Sequence, residues 1–155
     1  MPDPAAPRLS LAVQYASAAT NLPTRGQLRR WMKAALQRDV SMTLRFVDKA
    51  EGRKLNREYR GKDYATNVLT FVYNEPGGLH GDAVICAPVV EKEAREQRKD
   101  LMAHYAHLAI HAVLHLQGFD HEKETEAKEM ETLETAIMLK LRKPNPYQET
   151  SNTNG

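Results

Sequence analysis

Leu101-Met-Ala-His104-Tyr-Ala-His107-Leu-Ala-Ile-His111-Ala-Val-Leu-His115-Leu116, continuing through Gln117-Gly118-Phe119-Asp120-His121, is the stretch around which this chain is organised. It reads as a helix over roughly Leu101–Leu116 that ends at a glycine. On a helix, side chains at i and i+4 are neighbours, about 5–6 Å apart at Cβ, so His111 and His115 project from one face. Gly118 has no Cβ and takes the left-handed conformation that ends a helix at little cost. The chain then reverses and brings His121 back to the same point. Three neutral imidazoles meeting there suit Zn²⁺ at about 2.0–2.1 Å per Zn–N bond, with a fourth position left for water, the arrangement of a catalytic zinc. Water in that position has its pKa lowered to roughly 7, so the stretch predicts a metal-dependent hydrolase.

The remaining histidines are separated from this set by distance. His107, His111 and His115 also follow i, i+4, i+8 spacing, but eight residues at 1.5 Å rise put His107 about 12 Å from His115. Nitrogens sharing one tetrahedral zinc lie only about 3.5 Å apart. His107 is therefore expected to neighbour the site or to pack within the helix. His104 and His80 have no partner spacing and read as solvated or core-edge residues. The H-x3-H-x5-H spacing coincides with that of metzincin proteases, which place a glutamate directly after the first histidine as general base. Here that position is Ala112, which cannot take a proton, so peptidase chemistry is not expected.

Outward from this helix, strands and helices alternate. Leu9–Tyr15 and Val40–Val47 alternate apolar and smaller or polar residues, as half-buried strands do. Between them Thr24 is placed to cap a helix through Leu28, Trp31, Met32 and Leu36, whose spacing forms an apolar stripe. A short basic helix is expected around Gly52–Tyr59, strands at Asn67–Tyr73 and Asp82–Cys86, and helices at roughly Val89–Arg98 and Glu122–Leu141. The last has Met130, Leu133, Ile137, Met138 and Leu141 as its apolar face. The pattern is α/β, with four strands and helices in one domain over 1–155, an ordered core of about 8–147. The polar tail Tyr147–Gly155, after Pro144, is expected to lack order.

Composition is ordinary for a soluble globular protein. The chain has 155 residues, 41% apolar and 27% charged, enough for one buried core. The single cysteine, Cys86, has no disulfide partner within the chain, which fits a reducing cytoplasm, and reads as a small buried apolar side chain. The N-terminus lacks the basic and apolar regions of a signal peptide, and no segment approaches the ~20 apolar residues of a membrane span. Charge is uneven: residues 1–62 hold 13 Lys/Arg against 5 Asp/Glu, whereas residues 63–155 hold 9 against 15. Such a division suits a polyanion-facing surface built from the first half, and equally an ordinary solvated face.

A second constellation runs from Asn56 to Phe71, where a basic helix end enters a polar turn and then a strand. Arg60 offers a planar fork of donors suited to phosphate, and Lys62 adds a point charge. Asp63, Thr66 and Asn67 are expected to brace the loop through bonds to its backbone. A capped loop with solvated charges is the alternative.

These stretches together resemble the YbeY family of bacterial endoribonucleases, or rRNA maturation factors. The histidine segment ending Gly118-Phe-Asp-His121 is similar to that family's H-G-x-L-H-L-x-G-Y-D-H signature. Leu55-Asn-Arg-Glu-Tyr-Arg60, Asp63 and Thr66-Asn-Val-Leu-Thr-Phe71 resemble a second signature. Gly81-Asp-Ala-Val-Ile-Cys86 and Glu129-Met-Glu…Glu134 match as well, so the resemblance covers roughly Leu9 to Tyr147. Ala112 departs from the usual glycine, Phe119 from tyrosine and Thr70 from serine; the Ala112 methyl is expected beside the metal, where it narrows access.

The resemblance implies an α/β fold with a small mixed sheet flanked by helices and the metal helix in a cleft. It implies one zinc per chain on His111, His115 and His121, and a required arginine at Arg60. The implied activity is zinc-dependent cleavage of single-stranded RNA in 16S rRNA 3′-end maturation and ribosome quality control. The ribosome and small-subunit assembly factors are the implied partners, with no membrane involved.

Overall fold

The computed structural model describes residues 6–76, 78–119 and 123–147. Its elements are β1 (Leu9–Ala16), α1 (Arg25–Ala34), β2 (Val40–Val47), α2 (Lys49–Arg60), β3 (Val68–Glu75), β4 (Gly78–Cys86), α3 (Ala87–Gln97), α4 (Leu101–Leu116) and α5 (Glu124–Lys140). The strands form a four-stranded mixed sheet in the order β1-β2-β4-β3. β1 and β4 each run parallel to β2, and β3 runs antiparallel to β4. The connections dictate these directions. Helix α1 returns the chain for a parallel pairing, whereas the two residues between Glu75 and Gly78 permit only an antiparallel one.

Period-2 alternation places the core. Val40, Met42, Leu44 and Phe46 of β2 turn one face toward Leu28, Trp31 and Met32 of α1 and toward Tyr105, Ile110, Val113 and Leu114 of α4, all buried. Each such side chain contributes about 1.5–3 kcal/mol by leaving water. A smaller core of Val47, Leu69, Val84 and Cys86 lies on the other face, with Leu55 of α2 and Val89 of α3 packed against it. Cys86 is buried and free, the small apolar filler that its context suggests. Helix α1 starts with a reciprocal bond pair, Gln27 N–H to Thr24 Oγ1 and Thr24 N–H to Gln27 Oε1. It ends at Ala34, so Leu36 packs on the core from the following turn and not from the helix.

Helix α4 is central. It packs on α1, α3, α5, β3 and β4, and the Asp100 carboxylate caps its N-terminus by accepting from Ala103 N–H at 2.9 Å. Its C-terminal end lies against β4 at Gly81. A Cβ there would stand 2.5 Å from the Phe71 carbonyl oxygen and collide with Leu116, so only glycine lets strand and helix approach this closely. Beyond its first turn, α4 is buried all round except at His107, His111 and His115. No helix among the described residues is long and apolar enough to cross a membrane.

Candidate metal centre

The half-open stripe of α4 is a row of imidazoles at four-residue spacing, as helical geometry requires. Ring centres of His107 and His111 lie 6.4 Å apart, and those of His111 and His115 lie 6.5 Å apart and nearly parallel, at 14°. Helix α5 delivers a carboxylate to this row. Glu134, fully buried, accepts from His111 Nδ1 at 2.6 Å through Oε2 and from His107 Nε2 at 3.1 Å through Oε1. The Tyr147 hydroxyl also donates to Oε1, and His107 Nε2 lies 3.2 Å from that hydroxyl.

Burial works to raise the Glu134 pKa. The three donors from His107, His111 and Tyr147 outweigh it and hold the group down at about 2, so it is a carboxylate at neutral pH. Burial and the adjacent carboxylate push the Tyr147 phenol up, so it keeps its proton and donates. An ionised carboxylate only accepts, so His111 carries a proton on Nδ1, which in the neutral tautomer puts the lone pair on Nε2. A histidine whose second nitrogen is held by a carboxylate has the tautomer and fixed ring that metal ligation needs.

Helix α4 ends as the glycine predicts. Gly118 has φ +102, its N–H donates to His115 O at 3.0 Å, and Phe119 N–H donates to Leu114 O at 3.2 Å, the paired bonds of a Schellman ending. His121 lies outside the described residues. Among the described residues no three His, Cys, Asp or Glu side chains are grouped to hold a metal. Replacing Gly118 with Val is expected to cost about 1–2 kcal/mol, because a β-branched residue is penalised at positive φ. Zinc affinity should fall although no ligand is touched, which a chelator-competition titration of the folded variant measures.

The basic loop differs from expectation in how it is braced. Asp63 and Asn67 bond other side chains instead of the loop backbone. Asp63 accepts a bidentate pair from Arg53, at 2.8 and 2.9 Å, and Arg57 lies 3.7 Å away. Asn67 donates to Glu93, which also accepts from His104 Nε2 at 2.9 Å, tying the loop's end to α3 and α4. His104 is thus a buried, paired core residue. The loop backbone is held by Asn56, whose buried amide donates to Tyr64 O at 2.7 Å. Arg60, the last residue of α2, and Lys62 are exposed, and among the described residues neither side chain is engaged in an ion pair or hydrogen bond.

Two further expectations change. Ala112 is fully buried in the main core, because its position on α4 points away from the histidine row, so its methyl does not narrow access there. Tyr147, placed with the polar tail, is tied to Glu134; residues 148–155 lie outside the described residues. Glu134 and Tyr147 are the site residues that side-chain spacing did not single out. The available signal was a carboxylate inside an apolar stripe, since Glu134 falls midway between buried Met130 and Met138 at i+4 steps. A groove of about 730 Å³ lined by Arg45, Tyr59, Phe71, Tyr73 and Asp82 includes neither Arg60 nor a histidine, and the donor chemistry of α4 and α5 marks the site more clearly than cavity size.

A mixed sheet crossed by a buried histidine helix, with a carboxylate orienting one imidazole, defines an α/β protein with a candidate metal centre on its central helix. The chain belongs to the family described as "Endoribonuclease YbeY", whose profile matches residues 15–142. It is 60% identical over 146 residues to the "Endoribonuclease YbeY" of Aromatoleum aromaticum, covering 92% of this chain and 95% of that one. Its identity to the protein of that name from Thiobacillus denitrificans is 58% over 144 residues, covering 92% and 98%. In fold it is similar to the solution structure of TM1509 from Thermotoga maritima, with TM-score 0.57, 23% identity, and 92% and 99% of the two chains covered.

Proposed function

We propose that this protein is a single-domain, zinc-dependent endoribonuclease that cuts single-stranded RNA in the cytoplasm, acting in 16S rRNA 3′-end maturation and ribosome quality control. Ribosomes and small-subunit assembly factors are its proposed partners. The observation that carries the reading is the 2.6 Å bond from His111 Nδ1 to buried Glu134, beside the parallel ring of His115. That donor set fits zinc: an imidazole whose Nδ1 is held by a carboxylate, and a second imidazole one helical turn on. His111, His115 and His121 would hold the ion, which when bound supplies Lewis-acid polarisation of phosphate and lowers the pKa of water. Arg60 binds the scissile phosphate through its two-pronged guanidinium and stabilises the charge that grows there. Lys62 contributes a phosphate contact that strengthens binding without regard to base sequence.

The test uses one RNA sequence in single-stranded and duplex form, incubated with zinc-loaded wild type and with His111→Ala. Cleavage of the single strand by wild type, with loss in the variant, is expected. Equal cleavage by His111→Ala, or casein degraded in place of RNA, contradicts the reading.

The carboxylate gives a separate prediction. Glu134→Gln keeps the volume but loses the charge that orients His111, so zinc affinity should fall about 10–100-fold. A fluorescent-chelator competition reads this directly, and circular dichroism checks that the fold persists. Unchanged affinity would mean that the Glu134 network serves packing alone.

A further inference from the structure

The basic bias of the first half divides into two kinds of surface. On α2, Arg53 and Arg57 pair with Asp63 and, of its arginines, only Arg60 stands outside an ion pair among the described residues, while Arg45 of β2 pairs with Glu51 at 2.7 Å. On α1 the balance is different. Residues 6–47 contain seven Lys/Arg and one acid, Asp39. Arg25, Arg29 and Lys33 fall at i, i+4, i+8 on α1, all exposed, and form a line of three cations about 6 Å apart in rise per step. Among the described residues none of the three is in an ion pair.

Two of these arginines are aimed by the sheet. β1 is an edge strand, so its outward carbonyls have no strand partner. Arg25 donates to Val13 O and Arg29 to Leu9 O, each at 3.1 Å, and the Arg25 guanidinium sits 4.9 Å over the Tyr15 ring. One donor of each fork is used this way. The charge is not cancelled, and the other donors are left for a ligand. Arg29 and Lys33 also border a shallow concavity with Arg8, whose backbone N–H is held by Asp39 at 2.8 Å.

This surface is joined to the histidine helix. α1 packs on α4, and the buried Gln117 side chain, two residues past His115, accepts from Gln37 N–H at 2.7 Å and Arg38 N–H at 3.1 Å. Its amide donates to Ala35 O at 3.0 Å, so the turn ending α1 is clamped to the end of α4. Resting on the ribonuclease reading above, we propose that the Arg25–Arg29–Lys33 face of α1 is a phosphate track that holds the RNA strand outside the cleavage site. A regular line of cations suits a regular line of phosphates, and three charges outside any ion pair among the described residues, with Asp39 the one acid lining the adjoining concavity, favour a polyanion over a protein surface of mixed charge.

Binding of a long single-stranded RNA to the full chain, measured in chelator across a salt series, tests this. The variant is Arg25→Gln/Arg29→Gln/Lys33→Gln, because glutamine removes the charge while keeping a polar, helix-compatible side chain. Each lost phosphate contact flattens the log–log salt slope by about 0.7, so the slope should drop by about 2. The wild-type advantage over the variant should then shrink about 20-fold between about 50 and 200 mM salt. Lys33→Gln alone, which breaks no bond among the described residues, should give about a third of the slope change, and it carries the test if the triple variant does not fold. Arg53→Gln, already neutralised by Asp63, should leave the slope in place. An unchanged slope in a folded triple variant or in Lys33→Gln, or a loss confined to thermal stability, overturns the proposal. Failure of zinc-loaded wild type to cleave RNA would instead strike the function proposed above.

Discussion

His115→Ala is expected to purify with well under one equivalent of zinc, while His107→Ala keeps most of its metal. The two residues are equally spaced about His111, so the contrast rests on what each imidazole does. His107 has Nε2 committed to Glu134 and Tyr147, a bracing role. Its place on a straight helix leaves it about 12 Å from His115, too far for a shared ion. His115 lies beside His111 with its ring parallel, one turn before the Gly118 ending after which His121 follows. Removing one of three protein ligands from a zinc site removes a large share of its binding free energy. Elemental analysis of the two dialysed variants decides the matter. A metal-free His107 variant beside a zinc-loaded His115 variant would mean that the ligand set has been chosen wrongly.

The second large effect concerns Arg60. Arg60→Ala should lower kcat on single-stranded RNA about 10²–10³-fold, as loss of a preorganised charged donor does, with zinc content and fold intact. The structure makes the fold part of this expectation specific. Arg60 is exposed and, among the described residues, engaged in no ion pair or hydrogen bond, so truncation removes no bond that holds α2. Arg53 and Arg57 would be poor substitutes in such a test, because both brace Asp63. Arg60→Lys should recover little, since lysine keeps the charge and loses the fork. Lys62→Ala should mainly weaken binding and flatten its salt dependence. Saturating kinetics with unchanged kcat in Arg60→Ala would return Arg60 to the solvated loop.

Much of the architecture was readable because local signals agreed with one another. The alternation in Val40–Val47 and the capping residue Thr24 each point to the element that forms. Helix α4 was equally legible, down to its glycine ending. Pairing order was not, because strand adjacency depends on how helices cover the sheet, and nothing in β4 itself announces that it lies between β2 and β3. The histidine pair was legible from spacing alone. Its support was harder to see, since Glu134 approaches from a helix distant in sequence and Tyr147 from beyond it. The loop showed the same limit: Asp63 and Asn67 find side chains on α2 and α3, contacts that only the folded chain brings into reach.

The central claim is that one zinc, held by His111, His115 and His121, drives cleavage of single-stranded RNA. Its most direct test is a zinc titration of the metal-stripped protein, following bound metal and cleavage rate in the same samples. The rate should be negligible at the start, rise in proportion to bound zinc, and level off at one equivalent. Full cleavage by the stripped protein, or a rate that ignores bound zinc, would contradict the claim.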